Sequence, residues 1–286
     1  MKGRALGRID LRGASLIATL LLAAALAWVL TANRMSGMDA GPGTDPGSLG
    51  FYVSAWTLMM AAMMLPSAAP TVAIYESLRR PRDLCGGLRV AGGGAFAAGY
   101  LLAWTLFGLL AYALFELIAT AEIDALGWDQ GGRLAAAAVL GLAAAYELTP
   151  LKHACLSRCR NPVGFLLGHW RDGMAGALRR GLENGAWCIG CCCALMAVLF
   201  ALGLMSIVWM LVVAAMVAAE KLLPWRRAVA YAVAMVLLVL AAGVAFAPRD
   251  VPALTLPDSS QAMAGMEEME ETPGGSAAPI SSPMPR

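Results

Sequence analysis

Hydrophobic positions along the chain fall into seven long blocks, roughly 14–31, 51–74, 93–119, 132–149, 184–204, 207–223 and 228–247, separated by short segments carrying Arg, Lys, Gly and Pro. Apolar runs near 18 residues or longer match a hydrocarbon layer about 30 Å thick. Backbone groups inside lipid have to pair within their own segment, so each block is expected to be a helix. The pattern predicts an all-α, polytopic transmembrane helix bundle of about seven spans. Residues 1–50 hold the first span and an outer loop, 51–247 a six-span core with basic inner loops, and 248–286 a tail rich in Pro, Ser, Gly and Glu that cannot bury a core.

Charge sets the orientation. With the N-terminus inside, the inner segments hold Lys2, Arg4, Arg8, Arg12, Arg79, Arg80, Arg82, Arg89, Lys152, Arg158, Arg160, Arg171, Arg179, Arg180, Lys221, Arg226 and Arg227. Only Arg34, Arg133, Arg249 and Arg286 remain outside, so the positive-inside rule puts the N-terminus in and the tail out, as expected of a bacterial inner-membrane protein. The basic lead and Ala25–Ala27 also fit a signal peptide loosely, but cleavage there leaves the later topology unchanged. Composition agrees: of 286 residues 59% are hydrophobic and 14% charged, and the mean hydropathy is +0.67. Soluble domains carry about 25% charged residues. A net charge of +2 gives no reason to expect a nucleic-acid partner, and Gly92–Gly94 lacks the Lys and Ser or Thr of a phosphate loop.

The sulfur-bearing residues divide by side. In this topology all seven cysteines, Cys85, Cys155, Cys159, Cys188, Cys191, Cys192 and Cys193, lie in inner loops or within a span, while the outer side holds Met35 and Met38, then Met263, Met266 and Met269 interleaved with Glu267, Glu268, Glu270 and Glu271. Thioethers survive an oxidising compartment that would couple thiols, so a carrier of soft metal is expected to capture with Met outside and hold with Cys inside.

In the fifth block, at about 100° per residue, Asn184, Cys188, Cys191 and Cys192 share one face, Met196 lies at its edge and Cys193 points elsewhere. A lone cysteine in a membrane helix is most often a small packing residue. Four in six positions beside an Asn point to metal or redox chemistry, and thiolate sulfur selects soft ions such as Cu(I), with release of thiol protons on binding. The second block carries Met59, Met60, Met63 and Met64 within one arc, followed by Pro66 and Pro70, and Pro66 removes the bond to the carbonyl of Ala62, so a kink is expected there. A methionine stripe alone is commonly flexible packing. Both clusters nonetheless fall near mid-membrane, roughly 12–20 Å from the outer boundary and 6–14 Å from the inner one, as one site or two successive ones.

In the long inner loop, Cys155 and Cys159 are four apart, so a helix faces both one way, with His153 or His169 nearby to exchange metal inside. Incidental thiols in a basic, headgroup-facing loop are the plainer alternative. With only two histidines, both in this loop, bis-His haem ligation within the membrane is not expected. Glu116, Glu147, Glu183 and Glu220 lie in or at the ends of spans, where acidic groups are costly unless paired. Pairing of Glu147 with Lys152, Glu220 with Lys221 and Glu183 with Arg179 or Arg180 is the default expectation, with a cation exit or proton-linked step near the inner face as the alternative.

The chain resembles a bacterial family of uncharacterised integral membrane proteins predicted to bind metal. The resemblance is carried by Met60-Ala-Ala-Met-Met-Leu-Pro-Ser-Ala-Ala-Pro70, Tyr146-Glu-Leu-Thr-Pro-Leu-Lys152, Cys155-Leu-Ser-Arg-Cys-Arg160, Gly164-Phe-Leu-Leu-Gly-His-Trp170, Gly190-Cys-Cys-Cys-Ala-Leu-Met196 and Glu220-Lys-Leu-Leu-Pro224, covering about 51–225. In that family the position of Glu147 often holds Gln and that of Cys193 often Trp. The resemblance therefore implies that neither is an essential ligand and supports Met59, Met60, Met63, Met64, Cys188, Cys191 and Cys192 as candidates.

These observations favour a membrane protein that binds a soft metal, copper as Cu(I), and either transports it or delivers it to a client metalloprotein, with the lipid bilayer and a client or periplasmic metallochaperone as partners. The expected ligands are Cys188, Cys191, Cys192, Met59, Met60, Met63, Met64 and Met196 in the membrane, with Cys155, Cys159 and His153 inside. One alternative is a membrane thiol-disulfide oxidoreductase using Cys188 and Cys191, although a regular helix hardly directs their Cβ vectors together. Another is a non-catalytic assembly subunit whose thiols only pack. A hydrolase lacks both a His-rich cage and a nucleophile elbow.

Overall fold

The computed structural model describes residues 11–35, 47–78, 91–120, 131–168, 173–203 and 206–251. Regular structure among them is helical: α1 Leu11–Met35, α2 Leu49–Leu78, α3 Ala91–Thr120, α4 Arg133–Glu147, α5 Pro150–Cys159, α6 Pro162–Leu167, α7 Gly173–Leu202, α8 Ile207–Leu222 and α9 Arg226–Phe246, then a 3-10 turn at Pro248–Asp250. Gly13–Met35 of α1, the whole of α2, Gly92–Ile118 of α3, and α7 and α9 are long and apolar enough to cross a membrane. Two expected blocks are shorter than 18 residues, α4 at 15 and α8 at 16.

The fourth block ends in a break. α4 and α5 are bent by 68° relative to each other, a broken span or a re-entrant loop. Pro150 has no N–H and disfavours the helical conformation at the residue before it, so Thr149 is extended, with φ −75° and ψ 146°. Its hydroxyl then accepts the backbone N–H of Lys152 at 3.2 Å and starts α5. Asn161 caps α6 in the same way, its side-chain oxygen accepting Gly164 N–H at 3.2 Å, with Pro162 in the first turn. α2 continues as one helix through Pro66 and Pro70.

Backbone contact between α3 and α7 organises the bundle. A Cβ on Gly99 would lie 2.0 Å from the Leu178 carbonyl oxygen, and one on Gly181 would lie 1.9 Å from that of Phe96. One turn on, a Cβ on Gly185 would lie 2.5 Å from Ala103 Cβ and 3.0 Å from the Tyr100 oxygen. Only glycine permits this approach, the usual device by which membrane helices pack on dispersion forces. α2 is keyed to α3 by Trp56, whose ring covers Gly108 and whose indole N–H donates to the Trp104 carbonyl at 2.8 Å, and by the Thr57 and Thr105 hydroxyls at 3.0 Å.

The main core draws on every helix but α6 and contains Tyr52, Trp56, Tyr100, Trp104, Leu140, Leu195, Leu199 and Leu237. On the opposite surfaces Leu22, Leu26, Leu110, Leu117, Leu142, Val239 and Phe246 are exposed. The bundle is therefore apolar on its outside as well as in its core.

Replacing Gly181 with Leu is expected to push α3 and α7 apart at the cost of overpacking, about 1–3 kcal/mol. Denaturation of purified protein in detergent checks this, and an unchanged midpoint would contradict the close approach.

Candidate metal centre

Gly185 lets α7 lie against Tyr100, and Cys188 follows three residues later on the same helix. The Cys188, Cys191 and Cys192 sulfurs all lie within 4.8 Å of one another, and all three residues are buried. Cys191 Sγ stands 3.3 Å from Cys192 Sγ. A fourth thiol comes from another helix: at the end of α5, Cys159 Sγ lies 3.8 Å from Cys191 Sγ. Cys155, Cys159, Cys188, Cys191, Cys192 and Cys193 are all free thiols.

A ring of polar contacts closes around Cys188. Lys221 of α8 donates from Nζ to Cys188 Sγ at 3.1 Å and to Ser67 Oγ at 2.9 Å. Ser67 Oγ donates to the Met64 carbonyl at 2.8 Å, Tyr100 Oη reaches the same carbonyl at 3.5 Å, and Tyr100 Oη lies 3.0 Å from Cys188 Sγ. α3 and α8 thus meet α7 at one sulfur, and α2 joins through Lys221 and Tyr100. An ammonium has no lone pair, so Cys188 is the acceptor toward Lys221. A small cavity adjoins this sulfur, lined by Ser67, Thr71, Tyr100, Cys159, Asn184, Cys188 and Lys221 among others.

The PpoB2 family, described as a copper chaperone, matches residues 53–244. The chain belongs to this copper-chaperone family. No match was found among curated proteins or among solved structures. The segment shared with the PpoB2 family runs from within α2 to within α9 and contains the thiol cluster and every partner of Cys188. Family membership and the converging thiols together point to copper handling.

The remaining sulfur-bearing candidates are distributed differently from the sequence expectation. Among the described residues only Cys188, Cys191 and Cys192 form a group of three or more convergent His, Cys, Asp or Glu ligand atoms, and Cys155, Cys159 and His153 are not in it. Cys159 joins the thiols of α7, whereas Cys155 packs on Gly190, where an added Cβ would meet its sulfur at 2.8 Å. Cys193 lies on that flank beside Tyr146, whose hydroxyl donates to the Gly190 carbonyl. Asn184 is buried and lines the cavity, as the shared-face reading has it.

Met59, Met60, Met63, Met64 and Met196 are all buried in the same core as the thiols. Met35 is also buried there, at 3% exposure, so its thioether is not open to solvent. Met38, Cys85, His169, Met263, Met266 and Met269 lie outside the described residues.

The buried charges explain how Lys221 is free to face sulfur. Expected to pair with Glu220, it turns away, because successive residues on a helix point about 100° apart. Glu220 instead accepts from Lys152 Nζ at 2.7 Å, and Lys152 also donates to Glu147 across the α4–α5 bend. All three side chains of this triad are almost fully buried, and Glu147 Oε1 has no partner among the described residues. Arg160 caps the end of α8, donating to the carbonyls of Glu220 at 2.9 Å and Leu223 at 2.7 Å. Glu183 pairs with Arg179 and Arg180, as expected. Sequence reasoning missed Tyr100 and Lys221 as partners of Cys188, and Ser67 as the second acceptor of Lys221. The one signal for them was a lysine at the end of an apolar helix, where an ionisable group requires a specific partner.

Replacing Lys152 with Met strands two buried carboxylates and is expected to cost about 3–5 kcal/mol. Removing the charge of all three members together, K152M with E147Q and E220Q, is expected to recover much of that loss. Denaturation midpoints of the single and triple variants test this.

Proposed function

We propose that the chain is a multi-pass membrane protein that holds Cu(I) as cargo on Cys188, Cys191 and Cys192, with Cys159 as an exchanging fourth thiol, and delivers it to a client metalloprotein. The observation that carries this reading is the convergence of the three thiols within 4.8 Å, joined from another helix by a fourth at 3.8 Å. Sulfurs about 2.3 Å from a common metal at trigonal or tetrahedral angles stand about 3.8–4.0 Å apart, so small side-chain adjustments suit the set to one ion. Thiolate donors favour Cu(I) over hard cations.

Three thiolates on one Cu(I) carry a net charge of −2, which is costly to bury without compensation. The Lys221 ammonium against Cys188 offsets part of that charge, and Tyr100 supplies a hydroxyl to the same sulfur. With ligands on both α7 and α5, an incoming thiol can replace them one at a time, so the ion leaves without ever being bare. That is a delivery mechanism requiring no nucleotide.

The membrane reading rests on five long apolar helices and on the apolar exterior of the bundle. In this proposal the bent α4–α5 pair and the short α8 complete seven passes, the N-terminus is inside and the tail outside by the basic-residue bias, and the location is the bacterial inner membrane. Met59, Met60, Met63 and Met64 form a thioether-rich approach to the thiols. Met38, Met263, Met266 and Met269 are the outer capture residues.

A second reading, thiol-disulfide exchange, is favoured by one contact, the approach of Cys159 and Cys191 from different helices. Such a pair avoids the restriction that one regular helix places on Cys188 and Cys191.

Purified protein loaded with Cu(I) is expected to hold about one ion per chain, and replacing Cys188, Cys191 and Cys192 with Ser should remove nearly all of it, since each lost thiolate removes a soft donor. Metal analysis reads the stoichiometry, and an unchanged value defeats the ligand assignment. Thiol trapping separates the readings. Protection of Cys159 and Cys191 by copper is expected for cargo binding, whereas a reversible bond between them after oxidant, with no protection by metal, favours redox chemistry.

A further inference from the structure

A second polar cavity, about 770 Å³, opens where α5, α6 and α7 meet the start of α9. Its lining includes Arg158, Arg179, Arg180 and Arg226 with a single acidic residue, Glu183, leaving a net formal charge of +3. Basic residues at helix ends are ordinary. The environment of Arg180 is not, because its side chain is only 3% exposed and Glu183 takes one of its N–H groups, on Nη1 at 2.7 Å. The Nε and Nη2 groups are buried and have no partner among the described residues. A buried guanidinium with unsatisfied donors carries a desolvation penalty that a ligand oxygen would relieve.

The surroundings orient these cations. The Arg158 guanidinium is stacked 4.0 Å over Trp187, and that of Arg180 lies 5.6 Å from the centre of the Phe165 ring. Stacking holds the planar forks in place and leaves their edges for a planar pair of anionic oxygens, the arrangement by which arginine binds phosphate. Glu183 already engages Arg179 and Arg180, so it cannot balance Arg158 and Arg226 as well.

We infer that this cavity is a binding site for a phosphate-bearing anion, with Arg180 as the buried anchor and Arg158 and Arg226 as the outer clamp. Anionic lipid headgroups and free phosphate share this chemistry. The site is separate from the thiol cluster: among its lining, Trp187 and Arg158 are only sequence neighbours of Cys188 and Cys159. It does not depend on the copper reading.

The test uses the full chain in nanodiscs of phosphatidylcholine, of phosphatidylcholine with phosphatidylglycerol, and of phosphatidylcholine with added inorganic phosphate. A rise in thermal midpoint with phosphatidylglycerol alone assigns the site to a lipid headgroup, and a rise with inorganic phosphate assigns it to a soluble anion. In either case R180Q is expected to weaken binding at least about tenfold, the loss of a charge-assisted hydrogen bond. R226Q, at an exposed position, should weaken binding less while leaving the fold and the copper stoichiometry unchanged. No rise with either anion, or a rise that persists undiminished in both R180Q and R226Q, overturns the proposal.

Discussion

The close approach of α3 and α7 is the constraint on which the rest of the structure depends. Where Gly99, Gly181 and Gly185 remove the Cβ, the two backbones come into direct contact, and the positions immediately after the last glycine inherit that closeness. Tyr100 and Cys188 therefore meet, and through Tyr100 the carbonyl of Met64 is tied to the same place. A wider spacing would leave the thiols of α7 facing a gap, and the polar ring around Cys188 would not close.

Charge in an apolar bundle has to be matched, and the two buried lysines are matched differently. Lys152 stands between Glu147 and Glu220, whereas Lys221, the immediate neighbour of Glu220, has no carboxylate partner among the described residues and rests on a serine and a thiol. The α4–α5 break makes this division possible, because the bend that Pro150 forces brings Glu147 and Lys152 together and leaves Glu220 no need of its neighbour. In the proposed copper complex a cation beside sulfur would offset the negative charge of the thiolates. Membership of a copper-chaperone family gives that arrangement its context.

Donors from two helices distinguish this cluster from a motif confined to one segment. Cys188, Cys191 and Cys192 move together on α7, while Cys159 belongs to α5, which follows the break. The thiols at this place therefore belong to two separate segments, joined by the Cys159–Cys191 contact. The separate flank on which Cys155 packs against Gly190 keeps the neighbouring turn of α7 in register with α5.

What the sequence determined by itself was periodic or local. Apolar blocks marked the helices, and the 100° advance per residue put Asn184, Cys188, Cys191 and Cys192 on one face with Cys193 off it, because both patterns follow from geometry within one helix. The break at Thr149-Pro150 lies at the end of the fourth apolar block, which by itself reads as a straight span, and only the structure shows the 68° bend there. Tertiary structure alone decided that Cys159 joins Cys191 while Cys155 does not, that Lys221 faces sulfur and Lys152 faces both carboxylates, and that Arg180 is buried with donors unused. Those outcomes depend on which helices touch and at what depth, and that in turn is set by steric contact at a few glycines far apart in the chain, a relation no local pattern of residues encodes.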